Sequence, residues 1–209
     1  MRITVFGATG RTGRPLVRQA LDRGHDVVAF ARLPEKLDVV DEALTIAEGD
    51  AYSGDGVTEA VAGSDVVVSV LGQTSDGPDD LLAVAGDHIL DAMAETGVDR
   101  LVTLVGAGVR EEGESVSFSG KVMGTVLKFV AREVLADAET HVERVRSSDT
   151  RWTVVRAPRL TSGEGTGEYR AGDIELGFDS ISRADTAQFV LDVVEDEQFV
   201  HELPKVGSA

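Results

Sequence analysis

The chain opens Met1-Arg2-Ile3-Thr4-Val5-Phe6-Gly7-Ala8-Thr9-Gly10-Arg11-Thr12-Gly13, and the order of residue types in this stretch decides the fold. Ile3, Val5 and Phe6 form a short apolar strand that runs straight into glycines spaced G-x-x-G-x-x-G. Leu16, Val17, Ala20 and Leu21 then recur at helical spacing, and Gly24 stops that helix. Strand, glycine turn and helix in that order make a cradle for an anion. Gly7 permits the sharp turn out of the strand, Gly10 lets the backbone approach a pyrophosphate, and Gly13 lets the helix pack closely. N–H groups at the helix start then face the negative charge. The candidate nucleotide contacts here are Gly7, Thr9, Gly10, Arg11, Thr12 and Gly13.

Working outward, strand and helix patterns alternate. Val27-Val28-Ala29-Phe30 reads as a second strand and Leu44-Thr45-Ile46-Ala47 as a third, weaker one. Val57, Ala60 and Val61 suggest a short helix. The continuous apolar run over 65–71 is a fourth strand covered on both faces. Leu82, Ala85, Ile89 and Met93 share one helix face that ends near Gly97, and 101–105 is a fifth strand. Residues 122–145 read as a long helix and Trp152-Thr153-Val154-Val155 as a sixth strand. Ser182-Arg183-Ala184-Asp185 has the form of a capping box, with Phe189, Val190 and Val193 on one face behind it. This alternation predicts an α/β fold with a doubly wound, mostly parallel sheet and helices on both sides. No repeat or linker marks a boundary, so residues 1–209 are expected to form one domain. The stretches 106–120 and 158–172 read as loops at the carboxyl edge of the sheet, where open α/β folds bind ligands. Glu111-Glu112-Gly113-Glu114 within the first reads as a solvated turn.

The chain has 37 acidic and 20 basic side chains, a formal charge of −17 and no cysteine. That charge argues against nucleic acid and anionic membranes as partners, since both need a basic surface. The missing cysteines exclude a disulfide scaffold, a thiolate metal site and a cysteine nucleophile. No signal peptide or run of roughly 18 apolar residues is present, so a cytoplasmic protein is expected. Only four of the basic residues are lysines, Lys36, Lys121, Lys128 and Lys205. Many acids with few lysines is the balance of a salt-adapted, halophile-like protein, because salt screens self-repulsion.

The end of the second strand selects between cofactors. An NAD site places Asp or Glu there, about 20 residues beyond the glycines, to hold the ribose 2′-hydroxyl. Here Ala31-Arg32 stands instead, and Arg32 can meet a 2′-phosphate with paired N–H donors. Arg11 is a plausible second clamp and Lys36 a further point charge, so NADP(H) is the expected cofactor. After the third strand, Asp50-Ala51 is placed either to bond an adenine amino group or simply to make a turn. Leu71-Gly72-Gln73 after the fourth strand offers close backbone approach and a side-chain bond, or again a turn. The four histidines are scattered without metal-ligand spacing, so no metal site is expected. His141, near Asp137, Glu139 and Glu143, reads as part of a charged helix face. Arg144, Arg146 and Arg151 form a small basic cluster for which salt bridges are the expected use.

These pieces together resemble the atypical short-chain dehydrogenase/reductase family, in the branch containing biliverdin reductase B-like flavin reductases and NmrA-like proteins. The matching stretches run nearly end to end. They are the GATGRTG loop, Ala31-Arg32, Gly49-Asp50, Val61-Ala62-Gly63-Ser64-Asp65 leading to Val70-Leu71-Gly72, residues 101–107, Val155-Arg156-Ala157-Pro158, Thr166-Gly167-Glu168-Tyr169 and Ile181-Ser182-Arg183-Ala184-Asp185. The resemblance implies a three-layer Rossmann fold that presents a nicotinamide to a planar, redox-active small molecule. It carries Gly106, Ala107 and Pro158 over as cofactor contacts.

Three departures shape the expected chemistry. The wider superfamily uses Tyr-x-x-x-Lys as its acid/base pair, but here Gly56 and Asp173 lie four residues after the only tyrosines, Tyr52 and Tyr169. Gly106 stands where relatives place a serine, and Arg159 follows Pro158 where flavin reductase relatives carry a histidine. A flavin or quinone can still accept hydride and take its proton from solvent, with catalysis resting on proximity and electrostatics. Arg159 or Arg156 can stabilise the developing charge, unless Arg156 only anchors its loop and Arg159 is a surface or phosphate-binding residue. Tyr169 can stack on the substrate or close the core. Two function classes follow: an NADPH-dependent reductase of a flavin, quinone or similar acceptor, or an NADP(H)-binding sensor without turnover. An accessory subunit with a structural nucleotide is a third, and monomer or homodimer stays open.

Overall fold

A computed structural model describes residues 1–74, 77–110 and 132–209. The strands of its main sheet are β1 (Arg2–Phe6), β2 (Asp26–Ala31), β3 (Leu44–Glu48), β4 (Val66–Ser69), β5 (Arg100–Gly106), β6 (Arg151–Ala157), β8 (Tyr169–Gly172) and β10 (Lys205–Ser208). Two more, β7 (Arg159–Thr161) and β9 (Ser180–Ser182), pair with each other in a small parallel sheet. The helices are α1 (Gly13–Asp22), α2 (Val57–Val61), α3 (Leu81–Thr96), α4 (Arg132–Ser147) and α5 (Arg183–Glu195).

The main sheet has the order β3-β2-β1-β4-β5-β6-β10-β8, parallel throughout except for β8, which runs antiparallel to β10. Period-two alternation sorts the strand residues between two cores. Val27 and Ala29 face one side with Leu16 and Val17 of α1 and Phe189 and Val190 of α5. Val28 and Phe30 face the other with Val57 of α2, Ile89 and Met93 of α3, and Val142 of α4. The fold is therefore the expected three-layer, doubly wound α/β architecture. The order in which strands are added reverses between β1 and β4, and the crevice above these two strand ends is where such sheets bind ligands.

The structure departs from the sequence reading in several places. The segment 158–172 is not a plain loop, because it contains β7 and β8. The fourth strand ends at Ser69 rather than Leu71. A final strand, β10, had no counterpart in the apolar pattern. Lys205-Val206-Gly207-Ser208 carries one apolar side chain, and it is made a strand by its neighbours β6 and β8. Of the long helix expected over 122–145, the part from Arg132 is present, and residues 122–131 lie outside the described residues, as do 111–114. Among the described residues, no helix is long and apolar enough to cross a membrane.

Candidate functional site

The glycine loop is built as its spacing demands. Gly7 sits at φ +83°, and a Cβ there would lie 2.9 Å from the Val70 carbonyl group just beyond neighbouring β4. The Gly10 amide donates to the Gly7 carbonyl at 2.9 Å to close the turn. Gly13 faces the loop itself: a Cβ would meet the Gly7 oxygen at 2.1 Å and Ala8 Cα at 2.7 Å. The first turn of α1 is thus pressed onto the loop. Thr12 caps α1 with backbone only, since its side chain makes no capping bond.

The other long helices starting at this edge are treated differently. At α5, the Ser182 hydroxyl accepts from the Asp185 amide at 2.9 Å. At α3 the cap comes from another helix. Asp137 of α4, buried, accepts from the Leu82 amide through Oδ2 and from the Ala83 amide through Oδ1, each at 2.9 Å. Side-chain oxygens therefore cap α3 and α5, whereas α1, whose Arg14 amide donates to the Gly10 carbonyl at 3.0 Å, has no side-chain cap.

Arginines surround that end. Arg14 bridges two segments: its Nε donates to the Thr9 carbonyl at 3.1 Å and its guanidinium to the Lys36 carbonyl at 2.6 Å. It staples the glycine loop to the connection after β2, and Arg32 lies within that connection, exposed. Arg14 was missed from sequence because it sits inside the helix pattern. Lys36 is exposed and contributes its carbonyl to this staple. Among the described residues, Arg11 and Arg32 have no carboxylate partner. Five other arginines pair with acids: Arg18 with Asp38, Arg23 with Asp192 and Glu195, Arg144 with Asp87, Arg151 with Glu197 and Arg170 with Asp179, while Arg100, Arg146, Arg159 and Arg183 share the lack of a carboxylate partner among the described residues. Of the cluster expected to form salt bridges, Arg144 and Arg151 do, whereas Arg146 makes none among the described residues.

Further along the edge, Asp50 Oδ1 accepts from the Tyr52 amide at 2.9 Å, the geometry of a turn. Ala51 is buried and its carbonyl accepts from His88 Nδ1 at 3.0 Å. Gln73 donates its amide to Asp137 Oδ2 at 2.8 Å, so the side chain holds the strand-end loop to α4. Gly72 and Gly106, beyond β4 and β5, are exposed, and a Cβ at either would meet nothing within 4 Å. The Ala107 amide donates to the Ala157 carbonyl at 2.7 Å, which brings Pro158 beside it. Arg32, the α1 N-terminus, Gly106 and Pro158 thus follow the carboxyl ends of β2, β1, β5 and β6, the edge at which open α/β sheets bind ligands.

Other candidates lie elsewhere. Of the two roles open to Tyr169, the structure shows closure of the core. Its ring packs edge-on against Phe189 with centroids 5.1 Å apart, and its hydroxyl donates to Asp192. Asp192 also binds Arg23, which follows the C-terminal end of α1, so Tyr169 is at the far end of α1 from the glycine loop. Burial, then the bond to Asp192, raises the phenol well above its ordinary value. The Tyr52 hydroxyl donates to Asp80 at 3.0 Å, and that bond raises its pKa too. Arg156 is buried and anchors its surroundings, donating from Nε to the Leu203 carbonyl at 2.8 Å and from its guanidinium to that of Val109 at 3.3 Å. Arg159 begins β7, exposed.

His141 and Asp137 are not on a solvated helix face, contrary to the sequence reading. Both are buried between α3, α4 and the sheet, and His141 Nε2 is 3.0 Å from Thr103 Oγ1. Burial lowers the His141 pKa to about 4.

The comparisons with known proteins agree with this geometry. An uncharacterised protein of Bacillus subtilis, YwnB, is 27% identical, the match covering 97% of this chain and 96% of that one. ChuY, an anaerobilin reductase from Escherichia coli O157:H7, superposes with TM-score 0.81 at 18% identity, covering all of this chain and 97% of its own. SP1627 of Streptococcus pneumoniae, a candidate NADH-flavin reductase, superposes with TM-score 0.79 at 22% identity over the full length of both chains. At these identities the two structures establish a shared fold. A family model described as NAD(P)H-binding matches residues 7–197, from the first glycine of the loop to the end of α5, and the chain belongs to that NAD(P)H-binding family.

Proposed function

We propose that the protein is an NADPH-dependent oxidoreductase that passes hydride to a small planar acceptor, a flavin, quinone or related molecule. The observation that carries the cofactor choice is the pair of arginines, Arg11 and Arg32, without carboxylate partners among the described residues and near an α1 N-terminus without a side-chain cap, in a chain of net charge −17. Two cations without an acidic partner among the described residues fit a ligand with more negative charge than NADH carries. Arg32 meets the 2′-phosphate, and the N-terminal amides of α1 with Arg11 meet the diphosphate. Asp50 and Ala51 flank the adenine, Leu71, Gly72 and Gln73 the ribose, and Gly106, Ala107 and Pro158 the nicotinamide end.

When bound, the cofactor supplies a hydride. The acceptor takes that hydride together with a proton from water, so no protein acid is required. This suits the chain, whose two tyrosine hydroxyls are both bonded to carboxylates. The protein excludes water with the walls of the cleft and aligns the two rings. Arg159, exposed beside Pro158, stabilises the negative charge that develops on the acceptor. The names of ChuY and SP1627 support an acceptor of this class.

The exposed, featureless Gly106 favours a second reading, an NADP(H) sensor that binds without turnover. One assay separates the two: mix protein and NADPH with FMN, riboflavin and a quinone series in high salt, and follow loss of the nicotinamide absorbance. Catalysed oxidation that falls several-fold in Arg159→Ala supports the reductase. Tight NADPH binding with no turnover of any acceptor assigns the sensor.

A further inference from the structure

Arg14 lies half-buried in the first turn of α1, and no acid shares that turn. A cation at a helix start meets the positive end of the dipole, so the position disfavours an arginine. Its bonds show its use. Nε donates to the Thr9 carbonyl at 3.1 Å and Nη2 to the Lys36 carbonyl at 2.6 Å. Both acceptors are neutral backbone oxygens, so the guanidinium joins two chain segments and keeps its charge.

The two bonds act on different parts of the site. The Thr9–Gly10 peptide is pinned at both ends, its carbonyl by Arg14 and its N–H by the Gly7 carbonyl at 2.9 Å. Either nicotinamide cofactor would use that loop, so this half of the staple does not discriminate between them. The Lys36 half acts next to the discriminating residue. Arg32 is the first residue past β2, whose end is held where the Gly49 amide donates to the Ala31 carbonyl at 3.2 Å. Leu33 then leads into a single 3₁₀ turn, Pro34–Lys36, and Arg14 ties down its last residue. Arg32 therefore lies on a short span fixed at both ends. Beyond the turn, Leu37 is buried in the core that holds Leu16 and Val17 of α1, and Arg18 pairs with Asp38 at 3.2 Å. That ion pair is exposed on both sides and is screened in concentrated salt, whereas the bonds from Arg14 to carbonyls need no second charge.

We propose that Arg14 is a specificity-determining positioning residue: by tying the Arg32 segment to the glycine loop, it sets the preference for a dinucleotide that carries a 2′-phosphate. This rests on the NADPH reading and deepens it. An arginine on a loose loop loses conformational freedom when it takes a phosphate, and one on a span already fixed loses less. Arg14 thus acts through Arg32 and makes no phosphate contact of its own.

A double-mutant cycle tests this. NADPH and NADH are titrated against wild type, Arg14→Ala, Arg32→Ala and the double variant in molar KCl, with thermal melts establishing that each is folded. Wild type is expected to favour NADPH about tenfold or more. Arg14→Ala should cut that preference to about threefold or less, chiefly through weaker NADPH binding, and should change it no further once Arg32 is alanine. Arg14→Lys keeps the charge without the planar fork that spans two carbonyls, and should also fall well below wild type. An unchanged preference in Arg14→Ala, with the preference lost in Arg32→Ala, overturns the proposal and leaves the NADPH reading standing. Full wild-type preference in Arg14→Lys overturns it too, because charge alone then suffices. Additive losses in the cycle overturn it by making Arg14 a separate phosphate contact. No preference for NADPH in wild type overturns both the proposal and the NADPH reading.

Discussion

Two glycines show how much one methyl group decides. A Cβ at Gly13 would lie 2.1 Å from the Gly7 oxygen and 2.7 Å from Ala8 Cα, both backbone, so neither can give way cheaply. Gly13→Ala is expected to displace the loop, cost roughly 1–3 kcal/mol of stability and weaken NADPH binding more than tenfold. A Cβ at Gly106 meets nothing within 4 Å, so Gly106→Ala should leave the melting temperature unchanged and still weaken NADPH binding, because Gly106 is proposed to flank the nicotinamide end. Calorimetric titration with thermal melts separates the two outcomes. His141 carries a different lesson. Its pKa is lowered to about 4 by burial, whereas the unfolded chain's histidine protonates near its ordinary value of about 6.5. Between those values the unfolded state binds the extra proton, so stability is full above the upper one and falls as pH drops toward the lower. The total loss is on the order of 3 kcal/mol, and His141→Gln should flatten that slope in denaturant melts run across the window. The signal for its burial was in the sequence: Asp137, Ala138, His141, Val142 and Val145 share helical spacing. The acids around His141 masked it, because a charge on a helix ordinarily faces water.

At the scale of elements, the central strands and helices were legible because their apolar residues repeat with a clear period. Val27 to Phe30 splits cleanly between the two cores, and Ser182 caps α5 as its motif foretold. The late strands were not legible. Arg159–Thr161, Ser180–Ser182 and Lys205–Ser208 are three or four residues long and mostly polar, and each becomes a strand through the partner beside it. The cap of α3 was hidden for a similar reason. No residue next to its start serves it; Asp137, 55 positions from Leu82 in sequence, does. Asp137→Ala should cost about 1–3 kcal/mol, since it leaves the Leu82 and Ala83 amides without their acceptor, and it frees Gln73 from α4. Chemical denaturation reads the first effect. A weaker NADPH complex in Asp137→Ala, matched by Gln73→Ala, reads the second.

For the whole molecule, the distribution of charge matters more than its sum. Several arginines are consumed in ion pairs such as Arg23 with Asp192 and Glu195, whereas Arg11 and Arg32, at the edge where the cofactor is proposed to bind, have no carboxylate partner among the described residues. A net charge of −17 speaks against nucleic acid without speaking against a phosphate ligand in a locally positive cleft. The same charge makes the fold repel itself in dilute buffer. Melting temperature and activity should both rise as KCl is increased toward molar concentrations, where the Debye length falls to about 3 Å. A melting temperature independent of salt would return the composition to that of an ordinary acidic protein.

The central claim is that free arginines in an acidic chain form an NADPH site, and the direct measurement is a paired titration of NADPH and NADH against wild type and Arg32→Asp in high salt. Wild type is predicted to bind NADPH at least about tenfold more tightly than NADH, and Arg32→Asp to abolish or invert that preference while NADH binding persists. Equal affinity of wild type for the two cofactors, or an unchanged preference in Arg32→Asp, would contradict it.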